Sequence, residues 1–206
     1  LQSNAVIWVE GPSDRIYLKH WIHRQDSNLS EGIHYSIMFY GGRLLSHLSA
    51  DDEVVSEFID LKALNQNMAI IIDSDRSSKS AKINATKERI FREVGNGRGH
   101  AWITKGREIE NYVSPSDLHS AIRSCYPTTY HSPASTGEYD HSLYFMRKNV
   151  KKTRNLERSH SLDLIERNVD KVAIARMVCA HSPRMDILDL QRRIGNLVTF
   201  IKKANA

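Results

Sequence analysis

Residues Met68 to Arg76 read MAIIIDSDR. The apolar residues Ala69 to Ile72 run directly into two aspartates separated by one serine. A short, β-branched, continuously apolar run suits a strand buried on both faces, as in a parallel sheet. Ligands of such sheets gather at the carboxyl ends of the strands. Asp73 and Asp75 fall there, on the same side of the chain if it stays extended. Two carboxylates that close repel unless a cation lies between them. Oxygen-only ligands suit a hard divalent ion such as magnesium or manganese. A turn with a helix N-cap also favours Asp and Ser, so both readings stand at this point.

The same order recurs near the start of the chain. Ala5-Val6-Ile7-Trp8-Val9 reads as a strand, and Glu10-Gly11-Pro12-Ser13-Asp14 follows at once. Gly11 and Pro12 end the strand, and Pro12 or Ser13 opens a helix continuing through Arg15 to His23. Glu10 and Asp14 are either turn chemistry with a helix-start acid or a second carboxylate pair beside the first. Ile33 to Tyr40 reads as a third strand, closed by Gly41-Gly42, and Leu44 to Leu64 as a helix. Lys79 to Val94 has a helical pattern and His100 to Thr104 reads as a fourth strand. Glu108 and Glu110 then flank one isoleucine. They would share a face in an extended chain and diverge in a helix.

Beyond Ser114 the strand–helix alternation stops. Pro115 to Cys125 reads as a capped helix and Tyr126 to Tyr139 as a loop. Asp170 to Ala180 and Arg184 to Lys203 read as helices. The expected organisation is an α/β core over 1–114, with a mostly parallel four-stranded sheet, and a helical subdomain over 115–206. Its segment 170–180 is expected to return to the acids.

Composition narrows the function classes. The 206 residues carry a net charge of +5, which permits a polyanionic partner without requiring one. Arg147 to Arg158 holds six basic residues against the single acid Glu157. Lys148, Lys151, Lys152 and Arg154 are the candidates there for phosphate contacts, against the plainer reading of a solvated face. No run is long and apolar enough to span a membrane, and no signal-peptide pattern opens the chain. Cys125 and Cys179 are the only cysteines, which suits a reducing, cytoplasmic setting. The sequence begins at Leu1, consistent with a fragment of a longer protein.

Glu10-Gly11 with Asp14, followed by Asp73-Ser74-Asp75, resembles a Toprim domain, the α/β catalytic unit of topoisomerases, bacterial primases and several nucleases. The wording VEGPSDRIYL (Val9 to Leu18), IIDSDR (Ile71 to Arg76), REIENY (Arg107 to Tyr112) and DKVAIA (Asp170 to Ala175) is similar to one branch, the overcoming-lysogenization-defect (OLD) nucleases. The resemblance spans about residues 5 to 180 and implies a Rossmann-like fold. It also implies an ABC-type ATPase domain preceding this region, through which ATP and homodimerisation would act. Members cut DNA with divalent metals, and many act in phage defence.

For this chain the resemblance implies Glu10, Asp73 and Asp75 as the firmest ligands of two magnesium or manganese ions. Asp14 and Glu110 would complete the set, with Glu108 as the alternative to Glu110. It implies catalytic roles for Glu10, as a general acid or base, and for Lys171, near the scissile phosphate. Ser74 would contact a phosphate or a metal-bound water, or shape the turn. No histidine pair has metal-ligand spacing, and none is assigned to the site. The rivals are a topoisomerase-like enzyme, for which Tyr112 and Tyr126 are available nucleophiles, and a catalytically silent binding or regulatory module.

Overall fold

The computed structural model describes residues 3–40, 67–96, 98–148 and 164–206. The strands β1 (Ala5–Val9), β2 (Tyr35–Phe39), β3 (Met68–Ile72) and β4 (His100–Ile103) form one parallel sheet in the order β2-β1-β3-β4. β1 and β3 are the central strands, as their unbroken apolar runs require. Ile7 stands opposite Ile37 on one side and Ala69 on the other.

Alternation along β3 divides the core in two. Ala69 and Ile71 enter the larger apolar cluster, whereas Met68, Ile70 and Ile72 enter a smaller one with Ile90 and Val94. All five β3 residues are buried, and burying a side chain of this size stabilises by about 1.5–3 kcal/mol. The smaller cluster is roofed by α2 (Ala85–Gly95), whose N-cap Asn84 accepts from the Thr86 N–H at 2.8 Å. The larger lies under α1 (Pro12–Gln25), α3 (Pro115–Cys125), α4 (Lys171–Ala180) and α5 (Leu190–Ala204). Trp21 and Trp102 both meet the edge or face of Tyr112, with centroids 6.4 and 5.4 Å away.

The expected α/β class and parallel four-stranded sheet are observed. Two expected helices start later, at Ala85 rather than Lys79 and at Leu190 rather than Arg184, and three further readings change. Tyr126 to Tyr139 is not wholly loop: Tyr130–Pro133 forms β5, which pairs with β6 (Phe145–Arg147), and β6 pairs with β7 (Ile165–Glu166), in an antiparallel sheet. The C-terminal part therefore carries a sheet as well as helices. Its helices share one apolar cluster with β1 and α1, so the core is continuous across residue 114. Glu108 and Glu110 lie in neither extended chain nor α-helix: Glu108 is the N-cap of a 3-10 turn, Ile109–Tyr112. The helix expected over 44–64, the glycines 41 and 42, and Lys151, Lys152 and Arg154 lie outside the described residues. No helix among the described residues is long and apolar enough to cross a membrane.

Candidate metal centre

The loops leaving β1, β3 and β4 open at the same, C-terminal end of the parallel sheet, where ligands of such sheets gather. Glu10 follows β1 directly. Asp14 sits in the first turn of α1, buried, and its carboxylate accepts from the Gly11 N–H at 3.0 Å and the Ser13 hydroxyl at 3.2 Å. It is thus a helix-start acid and a member of the acidic cluster at once.

Asp73, Ser74 and Asp75 follow β3. The turn is fixed by hydrogen bonds: Thr104 N–H donates to the Ile72 carbonyl at 2.9 Å and Asp75 N–H to the Arg107 carbonyl at 2.9 Å. Ser74 is buried; its hydroxyl donates to the Gly106 carbonyl at 2.6 Å and accepts from the Arg76 N–H at 3.2 Å. Its hydroxyl is therefore spent on turn geometry. Asp75 takes a left-handed backbone, φ 54°, which Asp tolerates better than most residues. Its side chain is 64% exposed and paired with Lys87, a buried lysine of α2 that also donates to the Asp73 carbonyl at 2.7 Å.

The third group comes from the 3-10 turn. Glu108 and Glu110 are both buried, and both face Lys171, the first residue of α4: Nζ stands 3.5 Å from Glu108 Oε2 and 3.5 Å from Glu110 Oε1. Glu108 Oε1 accepts from the Ser142 N–H at 3.2 Å. Glu110 is only 1% exposed, and neither of its oxygens has a hydrogen-bond partner. His141 Nδ1 lies 4.0 Å from Glu108 Oε2 and accepts from Arg107 Nε at 3.3 Å.

The electrostatics bind these groups into one unit. Burial, then the Glu110 charge, pushes the Asp14 carboxyl up to about 6. Burial pushes Glu110 up to about 7, with Lys171 opposing. Asp73 is pushed well above the usual carboxylate range by burial and then by Asp14, Glu110 and Glu10. Glu10 is raised by burial and by Asp14. Burial alone would lower Lys171, but Glu110, Glu108, Asp73 and Asp14 overcome it and raise it above the ordinary lysine value. Among the described residues, Lys171 and Lys87 are the lysines paired with the six carboxylates Glu10, Asp14, Asp73, Asp75, Glu108 and Glu110, which leaves the centre negative.

This donor set fits a hard divalent cation. It offers only oxygen, the buried Glu110 carboxylate has no hydrogen-bond partner, and the raised carboxyls mark charge that a cation would relieve. As they stand, no three His, Cys, Asp or Glu side chains among the described residues enclose an ion.

Every acid named from the sequence reaches this end of the sheet, and so does Lys171. Lys148 does not join the cluster; its ammonium donates to the Pro127 carbonyl at 2.8 Å on the exposed surface. Lys87 and His141 were not read from the sequence, and Arg107, although part of REIENY, was given no role of its own. Their partners lie 12 to 34 residues away, with no local pattern to mark them.

Fold and site together define a Toprim-type α/β domain with an acidic centre at its strand ends. Among solved structures, the chain is similar to the C-terminal region of the Burkholderia pseudomallei OLD protein, with a TM-score of 0.56 and 16% identity over 100% of both chains. That likeness establishes a shared fold. No family model matches the sequence, and no curated protein matches it.

Proposed function

We propose that this chain is the catalytic region of an OLD-type, divalent-metal-dependent DNA nuclease. The observation that carries the reading is Glu110, a carboxylate 1% exposed with no hydrogen-bond partner on either oxygen, whose charge raises Asp14 and Asp73 and which is met by the Lys171 ammonium at 3.5 Å. Clustered buried carboxylates that a single ammonium leaves short of charge and of hydrogen bonds are costly, and a bound cation would offset that cost. The neighbouring solved structure is the C-terminal region of an OLD protein, which supports the family part of the reading.

Glu10, Asp14, Asp73, Asp75 and Glu110 would hold one or two magnesium or manganese ions. Bound there, such ions supply an activated water and neutralise charge on the phosphate. The chain's own residues set the remainder. Lys171, half-exposed, directs an ammonium toward the centre, where a phosphate oxygen would take up negative charge in the transition state. Lys87 fixes the Asp73–Asp75 turn by holding the Asp73 carbonyl and the Asp75 carboxylate. Glu108, already engaged by Ser142 and Lys171, orients Lys171 rather than serving as the primary ligand. An ABC-type ATPase partner domain, DNA as substrate and a role in phage defence belong to the same proposal.

Tyr112 is a poor candidate nucleophile. It is fully buried, and its hydroxyl receives the Trp102 indole N–H at 3.2 Å and the Lys105 N–H at 2.9 Å while donating to Asp189 at 2.8 Å. A hydrolytic reading therefore stands ahead of a topoisomerase-like one that would use Tyr112. The test is supercoiled plasmid incubated with magnesium or manganese, beside chelator and beside Asp73→Ala. The expected result is nicked and linear product that disappears in both controls. Equal cleavage by Asp73→Ala would refute the assignment.

A further inference from the structure

A cleft of about 580 Å³ lies alongside β4, between α2 and α5, next to the acidic centre. That volume falls within the range of roughly 300–1,000 Å³ common for ligand sites. Its charge is opposite to that of the centre. Arg76, Lys105, Arg92, Arg192 and Arg193 line it, with Glu88 and Asp189 as the only acids among its described lining residues. These cations come from separate stretches: the loops after β3 and β4, then α2, then α5. Arg76 follows Asp75 directly, and Lys105 follows Thr104, whose hydroxyl accepts from the Ser74 N–H at 2.9 Å. The cleft thus begins where the acidic turn ends.

Two further features point to a ligand of mixed character. Arg76 is held with Nη2 donating to the Lys105 carbonyl at 2.6 Å and its guanidinium 5.3 Å from the Tyr139 ring centroid, yet its buried Nε has no partner. Asp189 spends one oxygen on both Arg192 and Arg193, at 2.7 and 2.9 Å, which fixes these guanidinium groups at the cleft wall. Between the cations the lining is apolar: Ile83, Ile103 and Phe91, a large hydrophobic residue left 36% exposed on the outer side of α2.

A phosphate suits the cations and a base face suits Phe91. A duplex keeps its bases stacked inside, so only an unpaired nucleotide presents both groups to a concave site. We propose that this cleft binds a nucleotide of single-stranded DNA, its phosphate on the arginines and Lys105 and its base on Phe91. Resting on the nuclease reading, this assigns the centre a substrate with at least one unpaired nucleotide beside the scissile phosphate. The acids hold cations, and the cleft holds the strand as it leaves them.

The test is binding, not cleavage, so it separates from the fate of the nuclease reading. Fluorescence anisotropy would follow a labelled ten-nucleotide oligo(dT) and a blunt duplex of equal length, both in chelator. Phe91→Ala is expected to weaken oligo(dT) binding about tenfold and duplex binding less than twofold. The Arg92→Gln/Lys105→Gln pair is expected to flatten the salt dependence of oligo(dT) binding by about 1.4 in logarithmic slope, two phosphates' worth. Both positions are exposed, so these variants should fold. Oligo(dT) binding that is absent in the parent chain, or unchanged within twofold in Phe91→Ala, overturns the proposal. Equal losses for duplex and single strand also overturn it. Displacement of oligo(dT) by dTMP at comparable concentration, lost in Phe91→Ala, would assign the cleft to free nucleotides and overturn the strand.

Discussion

The Lys171 ammonium stands 3.5 Å from Oε1 of Glu110, although 61 residues separate the two in sequence. The contact joins the first residue of α4 to the 3-10 turn that follows β4. The pair links a buried carboxylate, 1% exposed, to an ammonium whose side chain is 48% exposed. Lys171→Ala would leave Glu110 without its nearest cation. Because the lysine is half in solvent, its loss is expected to cost only about 1–2 kcal/mol of stability. The loss in turnover is expected to be roughly 100-fold or more, the scale seen when one preorganised charge is removed from a reacting centre. Chemical denaturation and plasmid cleavage measured on the same preparation separate the two effects.

The raised carboxyls set a pH dependence with a definite sign. Glu110 is pushed up from 4.5 to about 7 and Asp14 from 3.8 to about 6. Between those limits the folded protein binds more protons than the unfolded chain, so stability falls as pH rises. In chelator the melting temperature should fall from pH 4.5 to pH 7. For Glu110 alone the loss is on the order of 2–3 kcal/mol. Glu110→Gln should flatten the slope, and a saturating divalent ion should too, by favouring the charged form.

Gly106 carries the loop between β4 and the glutamates, and the loop leaves no room for a side chain. A Cβ there would lie 2.7 Å from the Asn111 Cβ and 2.8 Å from the Glu138 carbonyl oxygen. Gly106→Ala must therefore move backbone that positions Ser74 and Glu108. We expect a loss of about 2 kcal/mol, or roughly 4–8 °C in melting temperature, with activity falling further than stability.

Tyr112→Phe should separate structure from chemistry. The hydroxyl satisfies Trp102, Lys105 and Asp189, so its removal strands buried polar groups at a cost of about 1–3 kcal/mol. Cleavage should persist at temperatures where the variant is folded. A cleavage defect with a covalent DNA adduct in the parent protein would instead mark Tyr112 as a nucleophile.

Much of this architecture is legible in the sequence because buried parallel strands have a blunt signature. Ala5 to Val9 and Met68 to Ile72 are apolar on both faces, and the acids after them stand out. Helices were legible where a side chain caps them, as Ser114 caps α3 and Asp170 caps α4. The small sheet was hidden because Tyr130–Pro133 is rich in turn formers and gains its strand geometry only by pairing with Phe145–Arg147. Glu108 and Glu110 were ambiguous for a similar reason. Neither period two nor 3.6 describes a single 3-10 turn, yet both side chains meet Lys171 there. Lys87 and His141 gave no signal, since their roles exist only once distant segments are brought together.

Calorimetric titration of the chain with manganese, beside Asp73→Asn, tests the central claim most directly. The account predicts saturable binding by the parent chain, releasing protons near pH 6.5, and at least a tenfold loss in the isosteric variant. Binding of equal affinity in Asp73→Asn, or none in the parent chain, would contradict an acidic centre built to hold a divalent ion.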